Sequence, residues 1–75
     1  MKIIINNAII NTDHFPVITT TSNVLLFGYE DDFNVPIQVY FPSATEAEQA
    51  LALIAQGFSE DKNIIEIEGG SFEEN

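Results

Sequence analysis

The chain has 75 residues, of which 45% are hydrophobic, no cysteine, and a formal net charge of −10 from twelve acids against two lysines. This length supports one small domain, and the composition excludes disulfides, thiolate metal sites and an intrinsically disordered chain. The charge argues against direct nucleic-acid binding, because phosphate contacts need clusters of Lys and Arg.

The first elements are predicted to be strands joined by tight turns. A run of isoleucines precedes Asn6 and Asn7, and a second apolar run follows them. Since Asn tolerates positive φ, this pair can form a two-residue turn, and residues 2–12 are predicted to be a β-hairpin. Residues 15–20 are predicted to be a short extended segment. Because Pro16 has no backbone N–H to donate, this strand either begins after Pro16 or lies at the edge of a sheet.

A central hairpin is predicted next. Residues 24–29 are almost continuously apolar over the length of one strand, which is typical of a strand covered on both faces. Residues 35–41 alternate, with Ile37 and Val39 on the same face. We expect the two runs to pair as antiparallel neighbours across a polar loop at 30–34.

The helix is predicted from its first turn and its apolar stripe. Ser43 and Glu46 have the spacing of a capping box. Gly57 is the predicted stop. One stripe of apolar residues recurs at helical spacing: Ala47, Ala50, Leu51, Ile54 and Phe58.

Residues 64–68 alternate and form the last predicted strand, and 69–75 are expected to be a flexible acidic C-terminal tail. Residues 1–68 are therefore predicted to be a single α+β domain. The expected architecture is a small antiparallel sheet of about five strands packed against one helix, in the order ββββαβ or βββββαβ.

Catalytic readings of the sequence are weak. His14 follows Asp13, which could orient a general base, but no placed nucleophile or oxyanion hole accompanies the pair, so the favoured interpretation is a solvated turn histidine. Glu66 and Glu68 would stand about 6.6 Å apart on one strand face, which suits a solvated edge better than a catalytic cleft. We expect no enzyme activity.

No metal or cofactor site is expected either. The carboxylates at residues 30–32 crowd one loop but lack the alternate spacing of a calcium loop. One histidine without cysteine argues against zinc. The four glycines form no phosphate-binding pattern.

The acidity itself is the best functional lead. Residues 30–75 hold eleven of the acids and a single lysine. We therefore expect the partner to be a protein with a basic surface, for example a nucleic-acid-binding protein. In that case a line of carboxylates on this chain would take the place of the phosphates of the nucleic acid. In size and charge the chain is similar to phage and plasmid inhibitors of host defence, including DNA mimics and anti-CRISPR proteins. The candidate contacts are Glu30, Asp31, Asp32, Glu60, Asp61, Glu66 and Glu68.

Three other interpretations stay open. The acidity could serve solubility alone. The chain could instead form a homodimer through exposed sheet edges, with Phe15, Tyr29, Phe33 and Tyr40 at the interface. A ligand-sensing domain would need a pocket between subunits.

The location is predicted from what the sequence lacks. Residues 1–7 are too short of apolar side chains for a secretory signal, and no run is long enough to span a membrane. Together with the absence of cysteine, this favours a cytoplasmic protein.

Overall fold

A computed structural model describes residues 1–29 and 32–73, with side chains for 1–29 and 37–73. Its class is α+β and its order is βββββαβ, which confirms the predicted class and one of the two predicted orders. The elements are β1 (Lys2–Ile5), β2 (Ala8–Asn11), a 3₁₀ turn (Thr12–His14), β3 (Val17–Thr21), β4 (Val24–Tyr29), β5 (Asp32–Tyr40), α1 (Ala44–Ser59) and β6 (Ile64–Ile67).

The strands form two sheets rather than the single antiparallel sheet that was predicted. Sheet I has the order β2–β1–β6 and sheet II the order β3–β4–β5. β6 runs parallel to β1, with Ile5 opposite Ile67, so the expectation of a purely antiparallel sheet is wrong. Two parallel strands need a crossover connection, and the chain between β1 and β6 provides it here.

Both predicted hairpins are present, since β1 pairs with β2 and β4 pairs with β5, each antiparallel. In the first hairpin Ile5 lies opposite Ala8, and the two-residue turn has Asn6 at φ 55°. A second two-residue turn, with Ser22 at φ 55°, joins β3 to β4. Positive φ at such turns matches the right-handed twist of the strands that they connect.

The predicted loop at 30–34 is shorter than expected. β5 begins at Asp32, which pairs with Tyr29, and the register shifts between Phe27 and Tyr29. Extra residues on β5 therefore form an irregularity within the ladder instead of a free loop.

The helix begins as predicted and ends later. The Ser43 hydroxyl accepts a hydrogen bond from the Glu46 amide at 3.2 Å. Gly57 does not stop the helix, which continues to Ser59. A Cβ at Gly57 would lie 3.0 Å from Met1 Sδ and 3.1 Å from Ile65 Cγ2, so this glycine serves a close approach between α1 and sheet I.

One core joins the helix to both sheets, since α1 packs against β3, β4 and β6. Phe58, expected on the buried stripe, is 52% exposed. The buried face is centred toward Ala50 and Gly57, and Phe58 lies on its flank. The core side chains are those of Ile3, Ile5, Ile10, Leu25, Phe27, Val39, Phe41, Ala47, Ala50, Ile54 and Ile67.

Residues that follow β6 cross to sheet II. The Asn6 side chain donates to the carbonyl oxygen of Gly70 at 2.7 Å, and Ser71 forms an antiparallel bridge with Tyr40. We call Gly70 and Ser71 the C-terminal clasp. The mobility expected of 69–75 stays a prediction, and residues 74 and 75 lie outside the described part of the chain.

Candidate functional site

The predicted contact residues occupy three places in the fold. Asp32 is the first residue of β5, and Glu30 and Asp31, which precede it in sequence, lie outside the described residues. Two others follow α1 and two lie on or after β6: Glu60, Asp61, Glu66 and Glu68.

The acids of β6 stand on the outer face of sheet I. Along β6, Ile64 and Glu66 are exposed, whereas Ile67 is buried against the core. Glu66 pairs with Ile4, so it stands beside an apolar side chain on that face. Glu68 is exposed but lies beyond the end of β6. Only Glu66 of the predicted pair is therefore part of the strand.

The acids that follow α1 stand where local physics disfavours them. Glu60 is the C-cap of the helix, and its amide donates to the carbonyl of Gln56 at 2.9 Å. Asp61 has φ 56°, a conformation that suits Gly or Asn better than Asp. The last turn contains no basic residue, although a helix C-terminus favours cations.

Few of these charges are neutralised. Among the side chains described, those of residues 1–29 and 37–73, there are two ion pairs: the Met1 amino group with Asp13 at 3.8 Å, and Lys62 with Glu60 at 3.3 Å. The remaining acids whose side chains are described are exposed and lack an ion-pair partner: Glu46, Glu48, Asp61, Glu66, Glu68 and Glu73. The surface is therefore strongly anionic.

An apolar cleft lies between the C-terminal half of α1 and β3. We call it the α1–β3 cleft; its volume is about 390 Å³, and it is lined chiefly by Phe15, Ile18, Leu51 and Phe58. Phe15 packs edge-on against Phe27 at 6.2 Å and at a tilt against Tyr29 at 5.8 Å between ring centroids. Sequence reasoning missed this cleft because it assigned Phe58 to the core.

A second depression, of about 470 Å³, separates β2 from β5. Ile9, Ile37 and Phe72 contribute apolar surface, and the Tyr40 hydroxyl donates to Gln38 Oε1 at 2.7 Å beside them. Two of its lining residues, Gln38 and Tyr40, are polar, whereas Thr12 is the one polar side chain among those that line the α1–β3 cleft.

The sheet edges bear on the alternative of a homodimer. Tyr40 exchanges both backbone hydrogen bonds with Ser71 on the outer edge of β5. This part of the β5 edge is therefore already paired within the chain. Dimerisation through the remaining edges stays a prediction, and of the proposed interface aromatics Phe33 has no described side chain.

Catalytic and metal-binding groups do not converge in the described structure. His14 is exposed at the end of the 3₁₀ turn. No group of three or more His, Asp or Glu side chains within 1–29 and 37–73 could hold a metal ion. The features that stand out on the described surface are exposed carboxylates and exposed apolar side chains.

Compared with known proteins, the chain matches no family model, no curated protein and no solved structure. In the part of the chain that the structure describes, no helix has both the length and the apolar character to cross a bilayer.

Proposed function

We propose that this protein is a non-enzymatic binding module that attaches to a basic surface of another protein. In its sharpest form it is an acidic inhibitor that occupies the nucleic-acid site of its partner, as phage or mobile-element anti-defence proteins do. The observation that carries the proposal is the set of exposed carboxylates without ion-pair partners in a chain of net charge −10. The lack of cysteine favours a cytoplasmic setting.

The placement of Glu60 and Asp61 supports a functional origin for the charge. Solubility requires only net charge, which can stand anywhere on a surface. These two acids instead follow the C-terminus of a helix, where the dipole disfavours negative charge and where Lys62 pairs with only one of them. Natural sequences break local rules chiefly at functional sites.

The expected binding mode is electrostatic. A strongly anionic surface accelerates encounter with a cationic partner, and the benefit falls steeply with ionic strength. A partner that normally holds nucleic acid already presents the Lys and Arg side chains that such a surface needs.

The test compares two sets of charge removals that leave the same net charge. The site variant carries Glu60→Gln, Asp61→Asn, Glu66→Gln and Glu68→Gln. The control variant removes the same number of acids elsewhere, through Glu46→Gln, Glu48→Gln, Glu73→Gln and Glu74→Gln. The probe is a fluorescein-labelled peptide of alternating Lys and Ser, and anisotropy is measured between about 50 and 200 mM NaCl.

We expect the wild-type protein to bind the probe with strong salt dependence, and the site variant to lose about tenfold more affinity than the control variant. Equal losses would show that only total charge matters and would refute the residue assignment. Absence of binding by the wild-type protein at the lowest salt would refute the proposed function. In the inhibitor form of the proposal, a DNA duplex also displaces the protein from an immobilised DNA-binding protein.

A further inference from the structure

We infer that the α1–β3 cleft is the anchor point of this binding module and that it seats an apolar side chain from a basic amphipathic segment of the partner. This inference rests on the proposed function, since it takes the partner to be cationic. It adds a specific place and a second kind of contact, because charge alone gives little discrimination among basic proteins.

The shape of the cleft suits one large apolar side chain. Its volume of about 390 Å³ falls within the range of about 300–1,000 Å³ that is usual for binding pockets. Ile54, 1% exposed, forms its floor, and Phe15 and Phe58 form its walls. A partner side chain seated here would cover Phe58, which the fold itself leaves half exposed.

Aromatic groups gather around this cleft. Single exposed apolar residues are normal on proteins and need no explanation. Here, however, Phe58 and Phe15 line the same cleft, and the ring of Tyr29, 47% exposed, lies against Phe15. Exposed aromatic side chains grouped at a concave site are typical of partner anchors.

Leu53 on the same helix gives the contrast. It is 51% exposed, almost the same fraction as Phe58. It lines a different depression, together with Ile64 and Ile65 and with the polar side chains of Gln56, Lys62 and Glu66. The two positions therefore separate an aromatic cleft without charged lining residues from a depression whose lining is both polar and apolar.

Charge complementarity selects the occupant. No residue that lines the cleft is charged, and the chain segments that border it carry Asp13, Glu60 and Asp61. The amino group of Met1 pairs with Asp13, and Lys62 pairs with Glu60. A second copy of this chain would add another net charge of −10, so a basic segment is the better complement. An amphipathic helix that offers apolar anchors between Lys or Arg residues combines both requirements.

The probe is a labelled peptide of about 18 residues made of Leu and Lys, ordered so that a helix has one apolar face. The comparison peptide has the same composition in an order that creates no apolar face. We expect the wild-type protein to bind the amphipathic peptide about tenfold more tightly. Phe58→Gln should abolish this preference, whereas Leu53→Gln should leave it intact.

A second pair of variants avoids dependence on one aromatic residue. Ala55 lines the cleft and is exposed, and Ala52 is exposed outside it. Ala55→Arg places a cation where the Lys-rich peptide docks and should weaken binding by about tenfold. Ala52→Arg changes the net charge equally and should have a much smaller effect. Circular dichroism checks that each variant is folded.

The outcomes separate the inference from the proposed function. If both peptides bind equally well and with strong salt dependence, the anchor is wrong while the proposed function stands. If neither peptide binds at low salt, both fail. If Leu53→Gln or Ala52→Arg weakens binding as much as its partner variant, the docking place is elsewhere. Light scattering that shows a dimer dependent on Phe58 would assign the cleft to self-association and overturn the inference.

Discussion

The two ends of α1 differ in how their charges are placed relative to the helix dipole. At the N-terminus, Ser43 caps the helix and Glu46 places a negative charge where the helix dipole favours it. At the C-terminus, Glu60 and Asp61 place negative charge where the dipole opposes it, and Asp61 has positive φ. The aromatic Phe58 stands exposed beside them.

This difference fits a division in which the first turn stabilises the helix and the C-terminal end belongs to the proposed binding surface. The first turn has a capping serine and an acid where the dipole favours one. The last turn combines unfavourable charge with exposed apolar surface, and the cleft of the proposed partner site opens beside it. Sequence features that lower stability without helping packing are expected at functional surfaces.

The largest effect is expected from filling the close contact at the C-terminal end. A Cβ added at Gly57 would lie 3.0 Å from Met1 Sδ, and a leucine side chain extends further, so Gly57→Leu must displace Met1 or Ile65. We expect a loss of about 1–3 kcal/mol in the free energy of unfolding, measured by urea titration. The exposed neighbour Gln56→Leu is the control, within about 0.5 kcal/mol of wild type. Equal stability of the two variants would refute the close packing.

Removing the cap at the other end should cost less. Ser43→Ala deletes the acceptor for the Glu46 amide and should lower the free energy of unfolding by about 1 kcal/mol. Thr45→Ala, in the same exposed turn but without a capping bond, is the matched control. If thermal unfolding shifts equally in both variants, the cap contributes nothing.

The smallest effect is expected from removing one charge at each end of α1, and it tests the difference between the two ends most directly. Glu46→Gln and Asp61→Asn each remove one negative charge, so both relieve the repulsion of an acidic chain equally. The dipole term has opposite sign at the two ends, about 0.3–1 kcal/mol in each case. Asp61→Asn should therefore be more stable than Glu46→Gln by urea titration at low salt, and the difference should shrink at about 1 M NaCl, because salt screens the charge effect but not the preference of Asn for positive φ. A difference that does not change with salt would show that the C-terminal end carries no electrostatic penalty.

Local signals made the turns and the helix start predictable. Asn6 and Asn7 between two apolar runs indicate a two-residue turn, and the structure has one. Ser43 with Glu46 marks the helix start within one residue. Such motifs depend on atoms only a few bonds apart, so the sequence contains all the necessary information.

Long-range packing was not predictable in the same way. The parallel pairing of β6 with β1 depends on contacts across the whole chain, and no local motif encodes it. Gly57 resembled a stop, but its role is to admit Met1 and Ile65. Phe58 fits the apolar stripe, yet no strand covers it, so the cleft became visible only in three dimensions. The acidic character was readable from composition, whereas its three separate locations were not.

The C-terminal clasp has a consequence for how the molecule folds. Asn6 and Gly70 are 64 residues apart in sequence, and the β1–β6 pairing spans a similar distance, whereas both hairpins are local. Non-local closure is entropically costly, so the hairpins are expected to form first and β6 to dock last. During synthesis on the ribosome, β1 would then wait with an open edge until β6 emerges. Substitutions in β6 should accordingly speed unfolding more than they slow folding.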